Sequence, residues 1–315
     1  MIQHRLSLSQ IEEAAKKIDA TFSNSPQYLS EPLSKLFGCQ IILKVETINP
    51  IRCFKGRGAH YLISKSKEKK FICASAGNFG QAMAYACREA NKKLIVYAST
   101  KANVLKVERM KELGAEVILI GEDFDTAKNK ARLVAEETKI RFVEDGLDIE
   151  TLAGAATIGV EIINQFKNLD AILIPLGNGA LLNGVGRVFK EKSLQTKVIA
   201  VQAKGAPAMI ESWQTKKMIT HPSIKTIADG IGVRIPIAQA LEDMKDLVDD
   251  GVLVSEDSIL EAIKLIHTHS GLVVEPSGAV GIAALLENKN RFQNKTMATI
   301  LCGGNLTEEQ MRNWL

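Results

Sequence analysis

The chain of 315 residues, 46% hydrophobic and 24% charged, has the composition of an ordinary globular protein and the length for two domains or one large α/β unit. Its formal charge of +4 is spread along the sequence and is too small to argue for a nucleic-acid partner. Five cysteines (Cys39, Cys53, Cys73, Cys87, Cys302) with no CxxC pair fit reduced thiols in a cytoplasmic protein better than disulfides or zinc, and neither a signal-peptide core nor an apolar run near the ~18 residues of a membrane span is present.

Ser9 followed by Glu12 predicts a capping box opening an amphipathic helix that runs to about Ile18. QIILKVE (Gln40 to Glu46) predicts a strand that leads into NPIRCFKGRGA (Asn49 to Ala59). Asn-Pro marks a turn, Gly56 and Gly58 permit close backbone approach, and Phe54 implies partial burial. Lys55, in the middle of this run, reads either as a solvated charge or as an amine nucleophile. The run KSKEKK (Lys65 to Lys70) reads as a solvated helix end. FICAS, LIVYA, EVILI and RFVED follow as short apolar strands, with helical spacing between them at Val104, Val107, Met110 and Leu113. The alternation resumes with AILIPL, VIAVQA and TMATILC. Strands apolar throughout and separated by helices predict an α/β fold with parallel sheet covered on both faces.

Ligands in open parallel sheets bind at the carboxyl ends of strands, and three such ends carry Gly/Asn turns: Ala76 to Gly80, Leu176 to Leu181, and Gly303 to Asn305. They read as one site assembled from distant segments. GNGALLNG (Gly177 to Gly184) is either an anion cradle at a helix N-terminus or a tight strand-to-helix turn. It lacks the P-loop GK[ST] and the GxGxxG spacing, and no acidic residue follows Gln202 and Ala203 to hold a ribose. SAGNFG (Ser75 to Gly80) either caps a helix or grips a substrate carboxylate. His267 and His269, near a helix end, read as surface or packing residues. HExxH and GxSxG are absent, which argues against metalloprotease and hydrolase chemistry.

The ordered set NPIRCFKGRGA, SAGNFGQA, PLGNGAL, TIADGIGV, EPSGAVG and LCGGN resembles the threonine/serine dehydratases, pyridoxal-5′-phosphate enzymes of fold type II, the tryptophan-synthase-β type. The resemblance spans Asn49 to Asn305 and implies two open, twisted, mostly parallel sheets with helices on both faces. It implies a large cofactor domain (1–58 and 147–315) and a small substrate-side domain (59–146). It also implies that Lys55 is the catalytic lysine that joins the cofactor aldehyde as a Schiff base, with Phe54 behind the ring and Asn78 beside its 3-hydroxyl. Gly177, Asn178, Gly179, Ala180 and Leu181 match the phosphate loop, and Ser75, Ala76 and Gly77, together with Asn78, the substrate-carboxylate loop. Cys302 matches the residue facing the pyridine nitrogen. A thiol does not keep that nitrogen protonated as a carboxylate would, which favours loss of a β-substituent over a long-lived carbanion.

The expected reaction is deaminating dehydration of L-threonine or L-serine to a 2-oxo acid and ammonia, with Lys55 as general base, its pKa lowered by its surroundings. The expected partners are a small amino-acid substrate and a second copy in a homodimer, with no nucleic acid, membrane or required metal. Several positions depart from the family pattern. Ile51-Arg52-Cys53 replaces the usual Thr-Gly-Ser before Phe-Lys, and Arg52 meets either a second acidic substrate group or, the favoured reading, solvent. Phe79 replaces a common His, and Ala76 stands where racemases carry a second-face serine base, which argues against racemisation. Gln202 replaces the metal-binding glutamate of some relatives. The end at Leu315 predicts a chain without a regulatory domain, hence a catabolic enzyme. The alternatives are cysteine-synthase-like β-replacement, disfavoured by Gly56-Arg57 after the lysine, a nicotinamide-dependent dehydrogenase, and a catalytically silent ligand-binding relative.

Overall fold

A computed structural model describes residues 4–315. The chain begins with α1 (Leu8–Lys17), β1 (Gln27–Leu29), α2 (Glu31–Phe37), β2 (Gln40–Val45) and α3 (Lys55–Lys65). An α/β alternation follows: β3 (Lys70–Ala74), α4 (Asn78–Glu89), β4 (Lys93–Ala98), α5 (Val104–Glu112), β5 (Glu116–Leu119), α6 (Phe124–Thr138) and β6 (Arg141–Val143). It continues as α7 (Ile149–Gln165), β7 (Ala171–Pro175), α8 (Ala180–Lys192), β8 (Lys197–Ala203), α9 (Ala208–Thr215), α10 (Ala238–Met244) and β9 (Asp250–Val254). The last elements are α11 (Glu256–Ser270), α12 (Pro276–Glu287), α13 (Lys289–Phe292), β10 (Thr296–Leu301) and α14 (Glu308–Trp314). None of the described helices is long and apolar enough to cross a membrane.

The strands form two sheets. The larger has the order β1-β2-β10-β7-β8-β9, parallel except for β1, which runs antiparallel to β2. The smaller, β5-β4-β3-β6, is wholly parallel. Every strand expected from an apolar run is present. The core of β7 is buried at each of its five positions, as a strand covered on both faces must be. The first helix is capped differently from expectation. Ser7 accepts from the Gln10 backbone while the Gln10 side chain accepts from the Ser7 N–H, so the box lies two residues before Ser9 and Glu12. Ser9 is one position inside that helix and meets Ser7 only hydroxyl to hydroxyl.

The glycines around Lys55 serve helix packing. A Cβ at Gly56 would lie 2.2 Å from the Phe22 ring, and one at Gly58 would lie 2.8 Å from Thr151 Cα. On α7, a Cβ at Gly154 would sit 2.4 Å from Gly58 Cα. The close approach foreseen at Gly56 and Gly58 is therefore to the Phe22 ring and to α7. This contact fixes α3, with Lys55 at its first position, against the long helix that leads from the small sheet to the large one.

Candidate active site

The carboxyl ends of both sheets face a cleft of about 660 Å³. Lys55 opens α3 at its edge, 15% exposed in its side chain, with Nζ 4.5 Å from the centroid of the Phe54 ring. Phe54 is buried and its N–H donates to the Cys302 carbonyl, so the β10 end and the α3 start are tied together beside the cleft. The Lys55 amine also meets Asp145, at 2.5 Å from Oδ2. Asp145 follows β6, is 9% exposed, and its Oδ1 is buried without a hydrogen-bond partner. Nothing in the sequence sets Asp145 apart, because a carboxylate after a strand is common and only the fold brings it to Lys55.

The loop between β7 and α8 lines the same cleft. Gly179 has φ +94°, the left-handed region where glycine carries no steric penalty, and no side chain caps the helix it precedes. The first N–H groups of α8 therefore lack intrahelical partners and face the cleft beside Asn178. The loop is close-packed: a Cβ at Gly177 would approach the Gly230 carbonyl to 3.1 Å. Behind it, Gly146 has φ +84° and leaves room for the Asn178 carbonyl, which would be 2.1 Å from a Cβ there.

Ser75, Ala76, Gly77 and Asn78 form the turn from β3 into α4 and line the same cleft. The Ser75 hydroxyl accepts from the N–H groups of Gly77 (3.1 Å) and Gly80 (2.9 Å), so it organises the turn as the capping reading held. Asn78 donates to Glu275 (2.6 Å) and accepts from Asn305 (2.9 Å), leaving one amide hydrogen and one lone pair for a ligand. Glu275, the residue before α12, is 2% exposed. Burial, reinforced by the Asp229 charge and opposed by Lys106, pushes its carboxyl up to about 7. Cys302, 5% exposed, has its thiol pushed well above the ordinary range by burial and then by Glu275, so it presents a neutral S–H to the cleft. His267 and His269 sit in the last turn of α11, away from the cleft, as read. Arg52 is exposed and does not line the cleft, while Ile51 and Cys53 are buried in the core. Gln202 is fully buried and accepts from the Ile210 N–H, and among the described residues no cluster of three metal-binding side chains occurs.

Taken together, the cleft offers an amine beside an apolar aromatic ring, a glycine-rich helix start with free backbone N–H groups, and a neutral thiol. The Ser277 hydroxyl, buried at the cleft and without a partner, awaits an acceptor or donor. Such a donor set fits a phosphorylated aromatic aldehyde: the cradle suits a phosphate, Phe54 an aromatic face, and Lys55 a carbonyl carbon.

A family model described as pyridoxal-phosphate dependent enzyme matches residues 18–303. A biosynthetic L-threonine dehydratase of Staphylococcus epidermidis is 31% identical over 323 aligned residues, covering 99% of this chain and 76% of the relative. A counterpart in Staphylococcus aureus is 30% identical with the same coverage. Among solved structures, the processed form of threonine deaminase isoform 2 from Solanum lycopersicum superimposes with a TM-score of 0.88 at 29% identity, covering 98% of this chain and 88% of that one. Maize serine racemase gives a TM-score of 0.91 at 27% identity, covering 98% and 96%. The two-sheet architecture is that of fold type II. With an amine, an anion cradle and an aromatic floor converging in a match that runs almost end to end, the chain belongs to the pyridoxal-phosphate dependent enzyme family.

Proposed function

We propose that this enzyme is an ammonia-lyase that converts L-threonine or L-serine to a 2-oxo acid and ammonia. The observation that carries the reading is the Lys55 amine lining one cleft with the glycine-rich loop, within a chain whose relatives are threonine dehydratases along its whole length. Pyridoxal phosphate, when bound, supplies an electron sink conjugated to the substrate nitrogen. In this reading the N–H groups at the start of α8 and the Gly177–Leu181 loop hold its phosphate, Phe54 supports its ring, and Asn78 meets its 3-hydroxyl. Cys302, neutral through burial, would meet the ring nitrogen without charging it. The Ser75–Asn78 turn orients the substrate carboxylate, and the freed Lys55 amine takes the proton from Cα. The β-hydroxyl departs as water, and hydrolysis of the unsaturated amine then consumes one water, so the net change is loss of ammonia.

Ala76 carries no hydroxyl for protonation on the opposite face, which supports elimination over racemisation. The small unit is taken as 59–146, between large-unit segments 1–58 and 147–315. The five unpaired cysteines support a cytoplasmic location, and family resemblance supports a homodimer, which a solution mass measurement tests. The decisive experiment has two parts. After borohydride reduction of the holoenzyme, the pyridoxyl label is expected on Lys55, and a label on any other lysine removes the assignment. An amino-acid panel is expected to release 2-oxo acid and ammonia from threonine or serine, with D-serine forming far more slowly than pyruvate. No release from either substrate would refute the proposed reaction.

A further inference from the structure

Helix α5 carries a cation into the cleft that no step above uses. Lys106 is 4% exposed, although lysine ordinarily keeps its ammonium in water. Its ion partner is Asp229, 2.6 Å away, whose own side chain is 56% exposed. Burial pulls the Lys106 pKa down, but Glu275 and Asp229 outweigh it and hold the amine above its ordinary value, so it is an ammonium at neutral pH. The arm of the lysine runs along the turn at the start of α4. A Cβ at Gly77 would lie 3.6 Å from Lys106 Cδ and 3.7 Å from Nζ. Gly77, the residue before α4, has no side chain to cap it, and of the helix's own N–H groups Ser75 takes only that of Gly80, so those of Asn78 and Phe79 lack intrahelical partners at the turn that Lys106 lies against. The Ser75 hydroxyl, by contrast, already accepts two N–H groups of its own turn.

We propose that Lys106 is the residue that receives the α-carboxylate of the amino-acid substrate, sharing it with the start of α4, and that Asp229 is the resting counter-ion the carboxylate displaces. The asymmetry of the pair supports this order. Asp229 is more than half exposed and returns to water at little cost, whereas Lys106 is buried and needs an anion at all times. The inference rests on the reading above for its ligand, an amino acid. The competing role is structural, a latch between α5 and the segment that precedes α10, and the two roles predict different variant behaviour.

The test uses holoenzyme titrated with L-alanine, which has no β-leaving group, and with L-alaninamide, which has no carboxylate; binding is read from the absorbance of the bound cofactor. Lys106→Met is expected to weaken L-alanine about 30-fold, the worth of one hydrogen bond between charged partners. The same variant should bind L-alaninamide within about threefold of wild type and keep its full complement of cofactor, the tolerance being less than one neutral hydrogen bond. Lys106→Arg should restore most of the L-alanine affinity, and Asp229→Asn should bind L-alanine as tightly as wild type or more so. Equal weakening of both ligands in Lys106→Met, or an Asp229→Asn loss as large as that of Lys106→Met, overturns the proposal in favour of the latch. No response of the wild type to L-alanine overturns it as well. Should Lys106→Met not retain cofactor, Lys106→Gln carries the same comparison. Because L-alanine is not turned over, these arms stand whether or not threonine is deaminated. Missing 2-oxo acid with intact carboxylate discrimination would refute the proposed reaction alone.

Discussion

Arg57→Met is expected to cost about 3–5 kcal/mol of folding stability, because it removes one partner from a buried ion network. Arg57 is 0% exposed and donates to both oxygens of Glu46 (2.9 and 2.8 Å), both of Glu161 (2.6 and 2.9 Å), and the hydroxyls of Thr157 (2.9 Å) and Ser25 (3.1 Å). Lys44, also 0% exposed, supplies the second cation by pairing with Glu161. Two cations and two carboxylates balance. Without Arg57 the network is left with a net negative charge, and Glu46, 1% exposed, loses its ion pair. At ~2.1 cal/mol/K of unfolding entropy per residue, a chain of 315 residues has about 0.66 kcal/mol/K, so the expected fall in Tm is roughly 5–8 °C. Thermal unfolding of the cofactor-free protein, followed by circular dichroism, measures it. Arg57→Lys should lose less, since it keeps the charge but not the fork that engages two carboxylates. Adding Glu46→Gln to Arg57→Met should recover part of the loss, because the stranded charge goes with it. A loss below ~1 kcal/mol for Arg57→Met, within the range of an ordinary exposed pair, would refute the reasoning.

Three further perturbations reach the site from different directions. Gly154→Ala is expected to push α3 off α7, since its Cβ would lie 2.4 Å from Gly58 Cα; the overpacking should cost about 1–3 kcal/mol and lower cofactor content, read by absorbance and unfolding. Cys302→Ser should retain substantial deaminase activity, because on the proposed reading either side chain would meet the pyridine nitrogen as a neutral group. Cys302→Asp should raise exchange of the Cα hydrogen with solvent deuterium relative to elimination, and unchanged exchange in a folded, loaded variant would remove Cys302 from that position. Glu275, raised to about 7 from an ordinary 4.5, binds protons in the folded state that the unfolded chain has already released. Stability of the cofactor-free protein should therefore fall as pH rises from about 4.5 to 7, and Glu275→Gln should remove that part of the slope, as measured by urea unfolding across the range.

Local chemistry made most of the fold legible. AILIP is apolar at every position and TMATIL at four of six because both faces are covered, and no tertiary information is needed to see that. The sequence pattern does not mark β1, three residues without a buried position, or β9, an edge strand whose DGVLV has only three apolar residues behind Asp-Gly. Edge strands bury less and so write a weaker pattern into the sequence. The site divided in the same way. The Gly177–Leu181 loop and the Ser75–Asn78 turn were visible because turns at strand ends require particular residue types, whereas Lys55 was set apart only by the resemblance of the run around it. Asp145 and Lys106 were not visible, because a charged residue on a helix or after a strand is unremarkable until the fold turns it inward; Glu275 and Asp229, although inside EPSGAVG and TIADGIGV, acquire their contacts with Asn78 and Lys106 only from the fold.

The segment Ile51-Arg52-Cys53 shows how an apparent disruption of the site becomes a backbone matter. Arg52 adopts φ +52°, a left-handed conformation that glycine, the usual residue there, takes without penalty. Its side chain is exposed, and its carbonyl accepts from the Gly304 N–H. Ile51, 2% exposed, offers its carbonyl to the Asn305 side chain, and Cys53, 0% exposed, bridges to Gly303. The three positions thus join the approach to Lys55 to the loop after β10 through main-chain atoms, which any residue supplies. Their side chains stay out of the cleft. Arg52 therefore brings no cation to the substrate. The cations that line the cleft beside the Ser75–Asn78 turn come from the small-sheet side, with Lys106 the one lying against Gly77. On the role proposed for Lys106, that cation meets the α-carboxylate that every amino acid carries, so it holds the class of substrate and does not choose among side chains.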